Sequence, residues 1–127
     1  MISHKLLISG IVSLLLIILS ISSCTRFTYN QNGYPKKVHF SSQGGSEIIS
    51  GNYDAYLYIN DDNDGNSLTY ENDTVEYAWL KVVRIRGGKP SFELTATPNE
   101  NPTQRKLQIE LYLGTEYGEI TVTQKGR

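Results

Sequence analysis

Residues 106–123, KLQIELYLGTEYGEITVT, decide the fold class of this chain. Apolar side chains occupy every second position from Leu107 to Leu113, and polar side chains alternate with them. A turn is predicted over residues 114–118, and the alternation resumes at Ile120. A period of two places all the apolar residues on one face of an extended strand. The stretch therefore predicts a β-hairpin with one buried face and one solvent-exposed face.

The same pattern recurs towards the N-terminus in short segments that are separated by turn residues. It holds for Val38 and Phe40, for residues 55–59 and for residues 91–96, and an apolar run covers residues 79–85. Gly, Pro, Asn and Asp mark the turns between these segments. About seven short strands with frequent turns are typical of two packed sheets. The sequence predicts an all-β sandwich without helices.

The first two dozen residues have a different pattern. Lys5 is followed by an apolar run over residues 6–21, and two serines then lead into Cys24, the one cysteine of the chain. This order resembles a bacterial lipoprotein signal with its lipobox, in which an aliphatic residue and two small residues precede a cysteine. The resemblance implies cleavage after Ser23, a diacylglycerol on the Cys24 thiol and acylation of the new α-amine.

Cleavage there divides the chain into a signal peptide (residues 1–23), a lipidated tether (residues 24–36) and a folded domain (residues 37–127). An uncleaved transmembrane helix is the alternative, since ~18 apolar residues can just span a bilayer. No positive cluster follows the run to hold such a helix. Secretion without lipid would leave an unpaired cysteine outside the cytoplasm, which is unusual.

We therefore expect an outer-membrane lipoprotein whose partner, through Cys24, is the membrane. Several acyl chains anchor stably, because each buried methylene contributes about 0.8 kcal/mol. Surface-exported lipoproteins of this kind usually carry acidic residues soon after the cysteine, whereas the first acid here is Glu47. This favours the periplasmic side, and the sequence leaves both sides of the outer membrane open.

Composition argues against two classes of function. Loss of Lys5 with the signal peptide changes the formal net charge from −1 to −2, and nucleic-acid binding needs a basic face. Catalysis of the Ser-His-Asp or Cys-His kind would depend on His39, the one histidine left after cleavage. Its alternation with Lys37 predicts a solvent-facing strand position. We predict a non-enzyme with no cofactor and no nucleic-acid partner.

Four segments carry a family resemblance. Val38 to Ser46, VHFSSQGGS, resembles the opening strand and double-glycine turn of BACON domains, and Trp79 to Val82 resembles their mid-domain tryptophan strand. Asn99 to Arg105 resembles their step from asparagine through a short turn to arginine, and residues 120–126, ITVTQKG, resemble their terminal strand. The resemblance covers nearly all of residues 37–126. It implies an immunoglobulin-like sandwich of gut-type bacteria, in a family named for carbohydrate binding.

Tyrosines are the candidate ligand-binding residues, because the apolar faces of sugars stack on exposed aromatic rings. Tyr56 and Tyr58 share one strand face, Tyr112 projects away from the leucine row, and Tyr117 falls in the predicted turn. We predict these four as site residues. Tyrosine is also a good strand former, and Trp79 is expected to pack in the core.

The loop from Asn60 to Glu71 has the oxygen, glycine and glutamate spacing of a calcium loop. An acidic hairpin loop explains the same residues, because Asp-Gly and Asn-rich turns are common in hairpins. We therefore predict no metal site. Seven acids between Tyr53 and Tyr77 and the basic cluster over residues 81–89 are expected to pair across neighbouring strands.

Two functions stay open. The first is a lipid-anchored binding module that recognises a glycan or mucin through exposed tyrosines. The second is a structural or assembly lipoprotein whose sheet edge pairs with another envelope protein. A coplanar row of exposed tyrosines favours the first, and buried tyrosines with an open, uncharged edge strand favour the second.

Overall fold

The computed structural model of this chain describes residues 26–60, 67–69 and 71–127. These residues form ten strands in two sheets, and they contain no helix that is long and apolar enough to cross a membrane. The strands are β1 (Thr28–Tyr29), β2 (Lys37–Phe40), β3 (Gly45–Ser50), β4 (Tyr56–Ile59), β5 (Ser67–Leu68), β6 (Thr74–Tyr77), β7 (Leu80–Ile85), β8 (Ser91–Ala96), β9 (Arg105–Leu113) and β10 (Glu116–Gln124). The predicted all-β fold class is confirmed, with ten short strands in place of about seven.

The larger sheet is built around the hairpin of β9 and β10. Its order is β1-β10-β9-β4-β5, and β2 also pairs with β10. β9 and β10 are antiparallel from Leu113 opposite Glu116 to Arg105 opposite Gln124, whereas β1 and β2 pair in parallel with β10. The smaller sheet has the antiparallel order β3-β8-β7-β6. The predicted central hairpin is confirmed, with a shorter turn at Gly114–Thr115.

The core lies between the two sheets and consists of the apolar residues that alternate along the strands. The largest fully buried apolar side chains are Phe92, Leu57, Ile59, Leu68, Leu80, Leu94, Ile109, Leu111 and Ile120. Burial of one such side chain contributes about 1.5–3 kcal/mol. Trp79 is 8% exposed and packs in the core, as predicted. Hydrophobic packing between the sheets therefore holds the sandwich together.

Residues 28–36 belong to the fold, and the prediction of a tether over residues 24–36 is wrong for them. β1 pairs with the start of β10. Tyr34 is 3% exposed, and its hydroxyl donates a hydrogen bond to the Tyr53 carbonyl at 2.6 Å. The Asn, Gly and Pro residues around Tyr34 are typical of a loop, and one buried tyrosine among them leaves no periodic signal. The folded part therefore begins before residue 37.

Gln31 keeps the segment between β1 and β2 on the sheet. Its side-chain oxygen accepts a hydrogen bond from the Glu119 N–H at 3.1 Å, and its amide donates to the Glu119 carbonyl at 2.7 Å and to the Pro35 carbonyl at 3.0 Å. The side chain thus takes the place of a backbone peptide beside β10. Gly118 leaves room for it, because a Cβ there would lie 2.9 Å from Gln31 Oε1.

The expected pairing of acidic and basic segments is confirmed around Arg84. The Arg84 side chain is 4% exposed and contacts Asp54 at 3.1 Å and Asp73 at 3.4 Å. It also donates to the Ala55 carbonyl at 3.0 Å. Arg86 contacts the same Asp73 carboxylate at 2.6 Å. These contacts tie the loop before β4 and the segment before β6 to β7.

The two arginines also change the titration of Asp73. The hydrogen bond from Arg86 lowers the pKa of Asp73 below its usual value, Arg84 acts in the same direction, and desolvation opposes both. The same hydrogen bond raises the pKa of Arg86. The pair is therefore held in its charged form.

Three predictions concern residues outside the described part of the chain. They are the signal peptide over residues 1–23, the lipidation of Cys24, and most of the loop between Asn60 and Glu71. Asn60 is described, and its side-chain oxygen accepts a hydrogen bond from the Gln108 N–H at 3.0 Å. That oxygen, the first ligand of a calcium loop, is therefore engaged with β9.

Candidate functional site

Tyrosines come together on the outer face of the larger sheet. Tyr112 lies directly opposite Tyr117 on one side and Tyr56 on the other, and Tyr29 lies opposite Tyr117. Residues directly opposite on neighbouring strands share one face of a sheet. We call these four residues the tyrosine row. It crosses four strands, and at about 4.8 Å for each of its three steps it is ~14 Å long.

The rings of this face pack edge to face. The ring centroids of Tyr29 and Tyr117 lie 5.6 Å apart at 79°, and those of Tyr58 and Tyr112 lie 5.4 Å apart at 85°. Phe27 adds a third such contact to Tyr112, at 5.3 Å and 71°. Pairs of this geometry contribute about 0.5–1.5 kcal/mol beyond their burial. The tyrosines are therefore held in place as a half-buried cluster with alternating edges and faces, and they are not coplanar.

The structure gathers all four predicted tyrosines and adds two aromatic residues that the sequence reasoning missed. Tyr117, which was expected in a turn, lies in β10 because the turn at Gly114–Thr115 is only two residues long. Phe27 and Tyr29 were assigned to the tether, and their side chains are 53% and 48% exposed. A two-residue strand is too short to show a period, so the aromatic residues themselves were the one available signal.

Two carboxylates occupy the next position along the same face. Glu110 lies opposite Glu119 on β10 and opposite Tyr58 on β4, and it accepts a hydrogen bond from the Tyr112 hydroxyl at 3.0 Å. Like charges directly opposite each other destabilise a sheet. Ionised carboxylates are acceptors with several lone pairs, which suits ligands rich in hydroxyl groups. The face thus combines aromatic surface with hydrogen-bond acceptors.

The opposite end of β10 carries a polar network that ties loops to the sandwich. Gln124 is fully buried and donates to the Ser41 carbonyl at 3.1 Å and the Thr97 carbonyl at 2.8 Å. Arg105 donates to Gln124 Oε1 at 2.7 Å, and its guanidinium lies 4.8 Å from the centre of the Trp79 ring. Seven residues at about 3.4 Å each separate this network from the tyrosine row, so the two lie ~24 Å apart.

His39 lies on the outer face of the larger sheet, in β2, where its ring is exposed to solvent as predicted. Its Nδ1 atom is 2.8 Å from Thr123 Oγ1. Thr123 in turn lies opposite Lys106 on β9. The histidine is therefore part of a polar strand surface.

Comparison with known protein families confirms the resemblance for the last three of the four segments that suggested it, and the first, Val38 to Ser46, lies outside the match. The model of the BACON family, described as "Putative binding domain, N-terminal", matches residues 69–125. This range includes Trp79, the step from Asn99 to Arg105, and most of the terminal strand. Trp79, Arg105 and Gln124 of the polar network therefore lie within the matched residues. No curated protein matches the chain.

Solved structures share the fold. A protein from Bacteroides thetaiotaomicron, determined by NMR, superposes with a TM-score of 0.53 at 16% identity and covers 77% of this chain and 80% of its own. A Bacteroides ovatus GH5 xyloglucanase, solved in complex with a XXXG heptasaccharide, superposes with a TM-score of 0.50 at 19% identity. That match covers 72% of this chain and 17% of the xyloglucanase chain. The described residues thus form an immunoglobulin-like β-sandwich, of which residues 69–125 match the BACON family model.

Proposed function

We propose that this protein is a lipid-anchored, non-catalytic binding module of the cell envelope and that its tyrosine row binds a glycan. The observation that carries the proposal is the in-register alignment of Tyr29, Tyr117, Tyr112 and Tyr56 on one open sheet face. The rings pack edge to face and do not form the coplanar row that was expected to favour a glycan, so a sugar would stack on single ring faces of this cluster. The match to a family described as a binding domain supports a binding role. The shared sandwich in a xyloglucanase supports a saccharide as the ligand.

The chemistry of the face favours an uncharged glycan. Sugar rings present apolar faces to tyrosine rings, and tyrosine hydroxyls are both donors and acceptors. Glu110 and Glu119 add acceptors for sugar hydroxyls beside the row. The repulsion between these opposed carboxylates is relieved by hydroxyl donors and increased by an acidic sugar. A row of ~14 Å accommodates a short stretch of a glycan chain rather than a single ring.

The glycan proposal is tested by measuring saccharide binding to the full chain in detergent micelles. The probes are xyloglucan oligosaccharides, neutral mucin glycans and acidic glycans. Tyr117→Ala should weaken binding ~30-fold, because truncation of a central aromatic contact costs about 2 kcal/mol. Tyr53→Ala is the matched control, since Tyr53 is 66% exposed in the loop before β4 rather than on the sheet. Absence of binding to every probe, or equal losses in both variants, would refute the proposal.

The membrane attachment and its side are tested on cells. In this proposal Cys24 carries the lipid, and Cys24→Ala provides the unanchored control. Protease digestion of the domain on intact cells would place it outside, where mucins and other soluble glycans reach it. Protection until the outer membrane is opened would exclude mucin and restrict the ligand to periplasmic glycans.

The second candidate, an assembly lipoprotein, has one observation in its favour. β3 forms an edge of the smaller sheet, and Ile48 in it is 61% exposed. Such an edge can add a strand from a partner protein. Glu47 in the same strand gives this edge a charge, which disfavours pairing. Loss of a cross-linked envelope partner in Ile48→Lys, with glycan binding absent, would favour this function over the first.

A further inference from the structure

The distance between the candidate lipid anchor and the first folded residue determines how far the domain can stand from its membrane. Phe27 packs against Tyr112, and the Thr28 N–H donates to the Thr115 carbonyl at 2.8 Å. Two residues, Thr25 and Arg26, separate this contact from Cys24. Three fully extended residues reach at most about 11 Å. A tether over residues 24–36 would have reached about 45 Å.

A reach of about 11 Å leaves little room between the fold and the bilayer. The headgroup region on each side of the hydrocarbon core is ~5–7 Å thick. A lipid on Cys24 therefore brings Phe27 to the level of the headgroups or just above it. The turn Gly114–Thr115 lies beside Thr28 and comes to the same level.

We propose that Phe27 and the Gly114–Thr115 turn rest on the lipid headgroups of the membrane that holds the anchor, so that this end of the sandwich docks on a lipid surface. The inference rests on the proposed lipidation of Cys24. The docked orientation goes beyond lipidation itself, because a lipidated domain with a long tether would move freely above the membrane. The short connection makes the domain lie against the bilayer with one defined end.

The exposed residues at this end suit a headgroup layer. Phe27 and Tyr29 are 53% and 48% exposed, and aromatic side chains are favoured at membrane interfaces. Arg26, also exposed, supplies a positive charge next to them, which is attracted to anionic headgroups. Gly114 and Thr115 are exposed and uncharged. Aromatic, cationic and small polar groups are thus grouped within reach of Cys24.

Docking by this end also sets the position of the tyrosine row. Tyr112 and Tyr117 flank the docked turn, so the row lies close to the membrane surface. The polar network at the other end of β9 and β10 points away from the bilayer. Ten residue steps, at about 3.4 Å each, separate Gln104 from Gly114, so Gln104 and its loop lie ~34 Å above the turn. Glycans bound by the row are then those that lie at the membrane surface.

The test uses the lipidated full chain in vesicles of phosphatidylethanolamine and phosphatidylglycerol. Cys24 is the one cysteine of the chain, and its thiol is blocked when it carries lipid. Thr115→Cys and Gln104→Cys therefore each give a single site for an environment-sensitive fluorophore. We expect the label at residue 115 to shift to the blue and to lose most of its emission to headgroup-quencher lipids. The label at residue 104 should show neither change, and equal responses at both sites would overturn the inference.

A variant with a longer tether isolates the cause. Ten Gly and Ser residues inserted between Arg26 and Phe27 add a coil of about 17 Å r.m.s. span, and we expect the quenching at residue 115 to fall. Unchanged quenching would overturn the argument from tether length. Mass spectrometry of the same samples separates the two proposals. A chain without lipid on Cys24 refutes both, whereas a lipidated chain without quenching at residue 115 refutes only the docked orientation.

Discussion

Replacement of Arg84 by methionine tests how the fold is held together beyond its apolar core. The Arg84 side chain is 4% exposed, and its guanidinium contacts Asp54, Asp73 and the Ala55 and Thr69 carbonyls. Methionine keeps the unbranched apolar stem of the side chain and removes every donor. Removing one partner of a buried ion pair destabilises a protein by about 3–5 kcal/mol. The Asp54 and Asp73 side chains are 39% and 42% exposed and can rehydrate. We therefore expect the unfolding free energy to fall by about 3 kcal/mol, at the lower end of this range.

Urea and thermal unfolding measure this loss, with the fluorescence of Trp79, the one tryptophan of the chain, as the probe. A loss of about 3 kcal/mol lowers the Tm of a domain of this size by ~12–24 °C. Arg86→Met is the control, because Arg86 shares Asp73 but its side chain is 60% exposed. That variant should lose much less stability than Arg84→Met, because exposed ion pairs contribute little. An Arg84→Met protein within ~1 kcal/mol of wild type, or equal losses in both variants, would refute the reasoning.

Three further predictions concern backbone space, the N-terminal segment and pH. Gly87→Ala should cost about 1–2 kcal/mol, because Gly87 has a φ of +87° with open space around it. Gly44→Ala should cost clearly more in the same denaturant melts, because Gly44 has a φ of +83° and a Cβ there would lie 2.3 Å from a carbonyl oxygen of β8. Gln31→Leu removes the two hydrogen bonds from this side chain to the Glu119 backbone in β10. We expect a loss of about 1–2 kcal/mol in unfolding free energy and faster hydrogen exchange at the Glu119 amide. Unchanged exchange at Glu119 would contradict the role of Gln31. Since Arg86 lowers the pKa of Asp73 below 3.8, the stability from this pair is present above that pH and is lost as pH falls through the folded-state pKa. The difference in unfolding free energy between wild type and Arg86→Met should therefore disappear in acid. A difference that persists in acid would show that it does not come from the Asp73–Arg86 pair.

Part of the tyrosine row could be predicted from the sequence. Alternation with Leu57 and Leu111 places Tyr56 and Tyr58 together on one strand face and Tyr112 away from the leucine row, and the structure puts all three on the outer face of the sheet. Alternation does not say which tyrosines are neighbours, because that depends on strand order and register. The short turn at Gly114–Thr115 sets the register that brings Tyr117 opposite Tyr112.

The structure of the N-terminal segment could not be predicted from the sequence, for a different reason. Tyr29 joins the row through a two-residue strand, Phe27 packs beside it on Tyr112, and Gln31 holds the following residues with its side chain. None of these features produces a periodic pattern, so the residues resemble a polar tether. Their partners lie more than eighty positions away in β9 and β10, and local sequence does not encode such a contact.

The sequence by itself determined the fold class, the faces of the longer strands and the family resemblance, because side-chain alternation and turn residues act over a few positions. The tertiary structure decided the order and register of the strands, the burial of Arg84, the place where the fold begins and the grouping of tyrosines with Glu110 and Glu119. The physical reason is that these properties depend on contacts between distant segments. Their free energies come from packing and paired polar groups across the sandwich, which become defined only when the two sheets come together.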